Sequence, residues 1–120
     1  MPNKREHLLI AESNEHFFAR LDLSGGPARG WASTVAFYAA LHYVEAFFST
    51  RLKHSADHRT RDNNMVQHNE TMAIYDQFCE LKNISTRARY YGRYPTGGEF
   101  MNQVLVALQE VRVEMMKYCH

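Results

Sequence analysis

An apolar run seeded with alanine constrains this chain more than any other feature: from Trp31 to Phe48 it reads WASTVAFYAALHYVEAFF. A helix of that composition must be covered over most of its circumference by other helices or by a second subunit. It is too short and too interrupted to cross a bilayer, which takes about 20 predominantly apolar residues in a row. Ala32, Ser33, Ala36, Ala39 and Ala40 allow close backbone approach, while Trp31, Val35, Tyr38, Leu41, Val44 and Phe48 are read as its packing bulk. The segment is therefore expected at the centre of an all-α bundle.

The flanking segments supply partners for it. Asn3 with Glu6 has the form of a capping box, and Leu8, Leu9, Ala11, Phe17, Phe18 and Leu21 follow at near-helical spacing, which predicts a first helix from about Lys4 to Leu21. Ser24-Gly25-Gly26-Pro27 breaks the chain and opens the central helix, expected over Ala28 to Thr50. Ser55 and Asp57 are both suited to cap a third helix ending near Arg89 or Tyr90. Gly92 and Pro95 then interrupt the pattern, and Thr96 with Glu99 forms a second capping box that opens a last helix carrying Phe100, Val104, Leu108, Val111 and Met115. The expectation is an antiparallel four-helix bundle, one domain over residues 1–120.

Composition narrows the function classes. With 14 basic and 13 acidic residues the formal net charge is +1, so any contact with nucleic acid must come from local clustering of arginine. Cys79 and Cys119 lack metal or redox spacing and are too few for a disulfide framework, which points to a reducing compartment, the cytoplasm. No uninterrupted apolar stretch follows the charged N-terminus, so neither export nor membrane association is expected.

Trp31, the FYAALH run from Phe37 to His42, Ala46, the pair His58-x-x-Arg61, Tyr75 and the stretch Ser85 to Tyr90 together resemble the HEPN superfamily of small helical domains. The resemblance covers roughly residues 28–90. It implies a helical bundle that acts on or binds RNA or a nucleotide, and the apolar excess of the central helix adds the expectation of a homodimer. Some members are metal-independent ribonucleases of defence or toxin–antitoxin systems; others are non-catalytic interaction modules, for which a protein partner such as an antitoxin is implied. Ribonuclease members carry an Arg followed at short distance by a His, a pattern met here by Arg61 to His68, with Asp62 and His58 alongside. Seven positions apart on one helix, Arg61 and His68 are expected to share a face about 10 Å apart. Histidine suits proton transfer near neutral pH and arginine stabilises charge on a phosphorane, so no metal or other cofactor is expected.

Two further patterns bear on ligands. From Arg87 to Tyr94 guanidinium groups alternate with rings, and Arg87, Arg89, Tyr90, Tyr91, Arg93 and Tyr94 are the expected nucleic-acid contacts, arginine for phosphates and tyrosine for unpaired bases. Packing of these tyrosines onto the bundle is the competing reading. His54-x3-His58, with Asp57, Asp62, His16 or His42, is a metal alternative that requires both histidines to lie on a helix. His42 itself is read as a satisfied core histidine beside Glu45.

Overall fold

In the computed structural model, which describes residues 2–119, a reciprocal cap starts the first helix: the Glu6 amide donates to Asn3 Oδ1 at 2.9 Å and the Asn3 amide to Glu6 Oε1 at 3.3 Å. This helix, α1, spans Lys4–Phe18 and stops before the expected Leu21. It buries His7, Ala11 and Phe18, one continuous face, and leaves the expected core residues Leu9 and Phe17 at 53% and 57% exposure.

Helix α2, Gly26–Thr50, starts with Pro27 in its first turn and is the central element, packed against α1, α5 (Tyr75–Tyr91) and α7 (Leu105–Met116). Arg29 fastens its start, donating from Nε to the Pro95 carbonyl at 2.8 Å and from Nη1 to the Leu23 and Ser24 carbonyls. Phe37, Tyr43, Val44, Phe47 and Phe48 are its buried bulk. Trp31 and Tyr38, expected inside, stand at 64% and 37% exposure. With half-buried Val35, which packs against the core, they form one row at i, i+4, i+7.

The end of α2 is a six-residue reversal in which the Lys53 amide donates to Phe48 O at 2.9 Å and the Leu52 amide to Ser49 O at 3.1 Å. The pattern needs a left-handed residue, and Leu52 supplies it at φ 56° although 91% exposed. A leucine there costs about 1–2 kcal/mol, which glycine avoids at an entropic cost of about 0.5–1 kcal/mol. Leu52→Gly is therefore expected to raise stability by roughly 0.5–1 kcal/mol. Urea unfolding monitored by circular dichroism checks this, and a lower midpoint contradicts it.

The expected third helix is three. Asp57 caps α3, His58–Gln67, by accepting from the Thr60 amide at 2.8 Å. His68 then turns extended, with φ −120° and ψ 127°, before the short α4, Asn69–Met72, and Ile74 opens α5, Tyr75–Tyr91. The break is held by side chains bonded to backbone: Thr71 donates to Met65 O at 2.7 Å, and His68 Nδ1 meets Asn64 O at 2.8 Å. Gly92, at φ 62°, ends α5 as expected.

The final run comprises α6, Gly97–Glu99, a π-helical segment, Phe100–Val104, and α7, Leu105–Met116. Thr96 and Glu99 form the expected capping box, and the π segment places Phe100 edge-on to Phe18, ring centres 6.4 Å apart. The described residues are thus all-α, with more helices than the four expected, because the third breaks twice and the last changes its winding. No described helix is long and apolar enough to cross a membrane.

Candidate nucleic-acid interface

The buried charges of the chain converge where α1, α2 and α3 meet. Glu45 of α2, almost fully enclosed, accepts from Arg61 Nε of α3 at 2.6 Å. Arg61 Nη1 lies 2.9 Å from His58 Nδ1. Beside them His7 Nδ1 of α1 is 2.9 Å from His42 Nδ1 of α2, a distance at which one imidazole donates and the other accepts. Burial, then the neighbouring His7 charge, depresses His42 to about 4, with Glu45 opposing. Burial also lowers His7, and burial and then Arg61 lower His58.

The residues expected to act together are distributed differently from their spacing. Arg61 and His58 meet each other, but His68, now at the kink, bonds Asn64 O and lies edge-on to the rings of Phe47 and Phe48 at 6.3 and 5.5 Å. Asp62 pairs with Lys82 of α5 at 3.4 Å. His54 falls in the loop before Asp57 and not on a helix, and no group of three or more His, Cys, Asp or Glu among the described residues is placed to hold a metal ion. His7 was absent from the sequence reading, although its line with Ala11 and Phe18, at i, i+4 and i+11, marks it as inward-facing.

The basic and aromatic segment at the end of α5 is largely exposed. Tyr90 and Tyr91 are each 70% exposed, the Arg89 guanidinium stands 5.2 Å from the centre of the Tyr90 ring, and Arg87 and Arg93 reach solvent. Tyr94 is less open, at 45% exposure. Its ring lies on Gly26 and Gly30 of α2, and a methyl group at Gly30 would come within 2.6 Å of it, so packing explains this tyrosine. Two hollows flank Tyr94: one of about 120 Å³ bounded by Arg87, Arg93 and Glu99, the other of about 100 Å³ bounded by Trp31, Ala88 and Arg89. The second joins Trp31, which sequence reading assigned to the core, to the same surface.

A wider cleft of about 470 Å³ lies between α1 and α7, over Tyr43. Its chief carboxylate is already engaged: Glu15 Oε2 accepts from the Tyr43 hydroxyl and Oε1 from Arg112 Nη1. Burial, then the Glu15 bond, holds the Tyr43 hydroxyl well above its ordinary value. Neither cysteine is in a disulfide. The chain matches no protein-family model, no curated protein and no solved structure.

Proposed function

We propose that this chain is a HEPN-like helical-bundle module that binds single-stranded RNA through the surface formed by Trp31 and the segment Arg87 to Tyr94. The observation that carries the reading is the exposure of Trp31, Tyr90 and Tyr91 next to Arg87, Arg89 and Arg93. Rings left in water and interleaved with cations are suited to unstacked bases and a phosphate backbone. Binding is favoured over cleavage because Arg61 and His68 have separate structural partners, which leaves no paired base and cation facing a substrate. The exposed rows Ile10/Phe17 on α1 and Val106/Val113 on α7 leave apolar surface open to a second copy of the chain or a protein partner.

Trp31 is the chain's one tryptophan, so its fluorescence reports on this surface alone. A single-stranded oligonucleotide is expected to quench it saturably, and a duplex of the same sequence to do so far less. Each stacked base contributes about 1–3 kcal/mol, so Tyr90→Ala/Tyr91→Ala is expected to weaken binding roughly tenfold or more. No quenching, and no anisotropy change of a labelled strand, sinks the reading. Cleavage of cellular RNA in chelator that leaves cyclic-phosphate ends and is lost in a His68→Ala variant shown to be folded by circular dichroism returns the ribonuclease reading in its place.

A further inference from the structure

Glu45, Arg61 and His58 form a chain of contacts from the core to the surface. Arginine has no acceptor and does not lose its proton, so at the 2.9 Å contact Arg61 donates and His58 Nδ1 accepts. Neutral His58 must then carry its proton on Nε2, where no described residue accepts it, and the side chain is exposed. Protonating Nδ1 breaks the Arg61 bond and sets two cations together. The buried carboxylate thus fixes, through Arg61, an outward hydrogen-bond donor at position 58 and denies that ring a free lone pair. An imidazole in this tautomer is a ligand for an acceptor atom and not a general base.

Cations stand around it. Asp62, one turn after His58 on α3, is paired with Lys82 of α5 at 3.4 Å, near enough for the ammonium to act on the imidazole charge. Arg89 follows on the same face of α5, seven residues or about 10 Å further along. It spends its Nε on Ser85 O at 3.4 Å, and neither terminal nitrogen has a described partner. Lys82 and Arg89 both act on the His58 charge, as do Arg61 and the opposing Asp62.

The neighbouring helix carries a matching row. Thr34 of α2 meets Ser85 of α5 at 3.2 Å and Phe37 meets Phe78 with ring centres 5.4 Å apart, so the two helices run antiparallel. The α2 row from Trp31 to Tyr38 therefore runs antiparallel to the α5 row from Arg89 to Lys82. At one end Trp31 and Arg89 border the same hollow. At the other, Tyr38 is next to Phe37, whose ring centre is 6.2 Å from that of His58.

We propose that these two rows are a binding track for single-stranded polynucleotide, in which Arg89, Lys82 and His58 Nε2–H hold consecutive phosphates while Trp31 and Tyr38 take bases. This rests on the RNA-binding reading and extends its footprint from the tip of α5 to the start of α3. A cation row spaced along one helix beside an aromatic row along the next matches the alternation of charge and ring in a single strand. His58 contributes as a neutral donor to a phosphate oxygen.

The test is the salt dependence of oligouridylate binding, followed by anisotropy of a labelled strand, for the wild-type chain and for Lys82→Ala/Arg89→Ala. Each phosphate contact to a single strand contributes about −0.7 to the slope of log K against log salt, so loss of two is expected to flatten the slope by about 1.4. In parallel, nitrogen NMR of the His58 ring is expected to show the Nε2–H tautomer in the free protein and a shift of that nitrogen on adding the oligonucleotide. Circular dichroism confirms that the variant is folded, and Lys82→Gln/Arg89→Gln repeats the test with more of each side chain kept. A slope flattened by only about 0.7, the Arg89 share, with an unmoved His58 signal overturns the track while leaving RNA binding at the α5 tip intact. No binding by the wild-type chain overturns both.

Discussion

Arg61→Ala is expected to lower the stability of the fold by about 3–5 kcal/mol, the usual cost of stranding one partner of a buried ion pair. The side chains of Arg61 and Glu45 are 9% and 5% exposed and meet at 2.6 Å, so truncating the arginine leaves the Glu45 carboxylate enclosed without its counter-charge. Against a typical total of about 5–15 kcal/mol the loss is large, and it should move the urea midpoint by more than about 1 M. Glu45→Ala is expected to cost as much by stranding the cation. Replacing both, as Glu45→Leu/Arg61→Met, should recover most of the loss, because well-packed apolar groups of similar volume often match or exceed a buried pair. A single variant within about 1 kcal/mol of wild type would free Arg61 from this structural role. The result bears on chemistry as well. Loss of any RNA-directed function in Arg61→Ala reports lost fold before it reports a lost catalytic group, and the double variant separates the two.

What could be read from the sequence was what local rules determine. The caps at Asn3/Glu6 and Thr96/Glu99 and the stop at Gly92 each depend on residues within one turn and stand where their spacing put them, and of the two candidates Ser55 and Asp57 it is Asp57 that caps α3. The rotational phase of α2 was legible only in part, because a helix apolar almost all round has no polar face to orient it: Leu41, Val44 and Phe48 are buried as expected, but Trp31 and Tyr38 are exposed while Phe37 and Tyr43 fill the core. The break at His68 depends on Thr71 reaching back to Met65 O, and the π segment at Phe100 depends on packing, neither of which leaves a periodic signature. The expected Arg61/His68 pair assumed an unbroken helix and a free guanidinium. Glu45 lies sixteen residues earlier in the chain and claims that guanidinium through tertiary structure. By contrast the exposed arginines and tyrosines after Ser85 needed only composition to be noticed, which is why that surface survives as the candidate interface.

Acid is expected to weaken the fold through the His7–His42 pair before carboxylates dominate. At 2.9 Å between Nδ1 atoms the pair accommodates one bridging proton, and a second sets two N–H groups against each other in a partly buried site already flanked by Arg61. Burial depresses His42 from 6.5 to about 4 and lowers His7 in the same direction, while Glu45 opposes both shifts. In this case the unfolded chain binds more protons than the folded one between those limits, so stability rises with pH there. The contribution is complete above about pH 6.5 and is lost as pH falls toward about 4. A shift of that size corresponds to about 3 kcal/mol without screening, and partial access of solvent to His42 reduces the expectation to about 1–2 kcal/mol. Urea midpoints taken from pH 7.5 down to about 4.5 should therefore fall steadily for the wild-type chain and much less for His42→Phe, which keeps a ring and removes the proton site. A wild-type midpoint that stays flat over this range, or a variant that falls in parallel with it, removes the pair as the cause. Because His7 belongs to α1 and His42 to α2, the same titration acts on the packing of the first helix against the central one, and it should loosen α1 before it loosens the packing of α2 on α5.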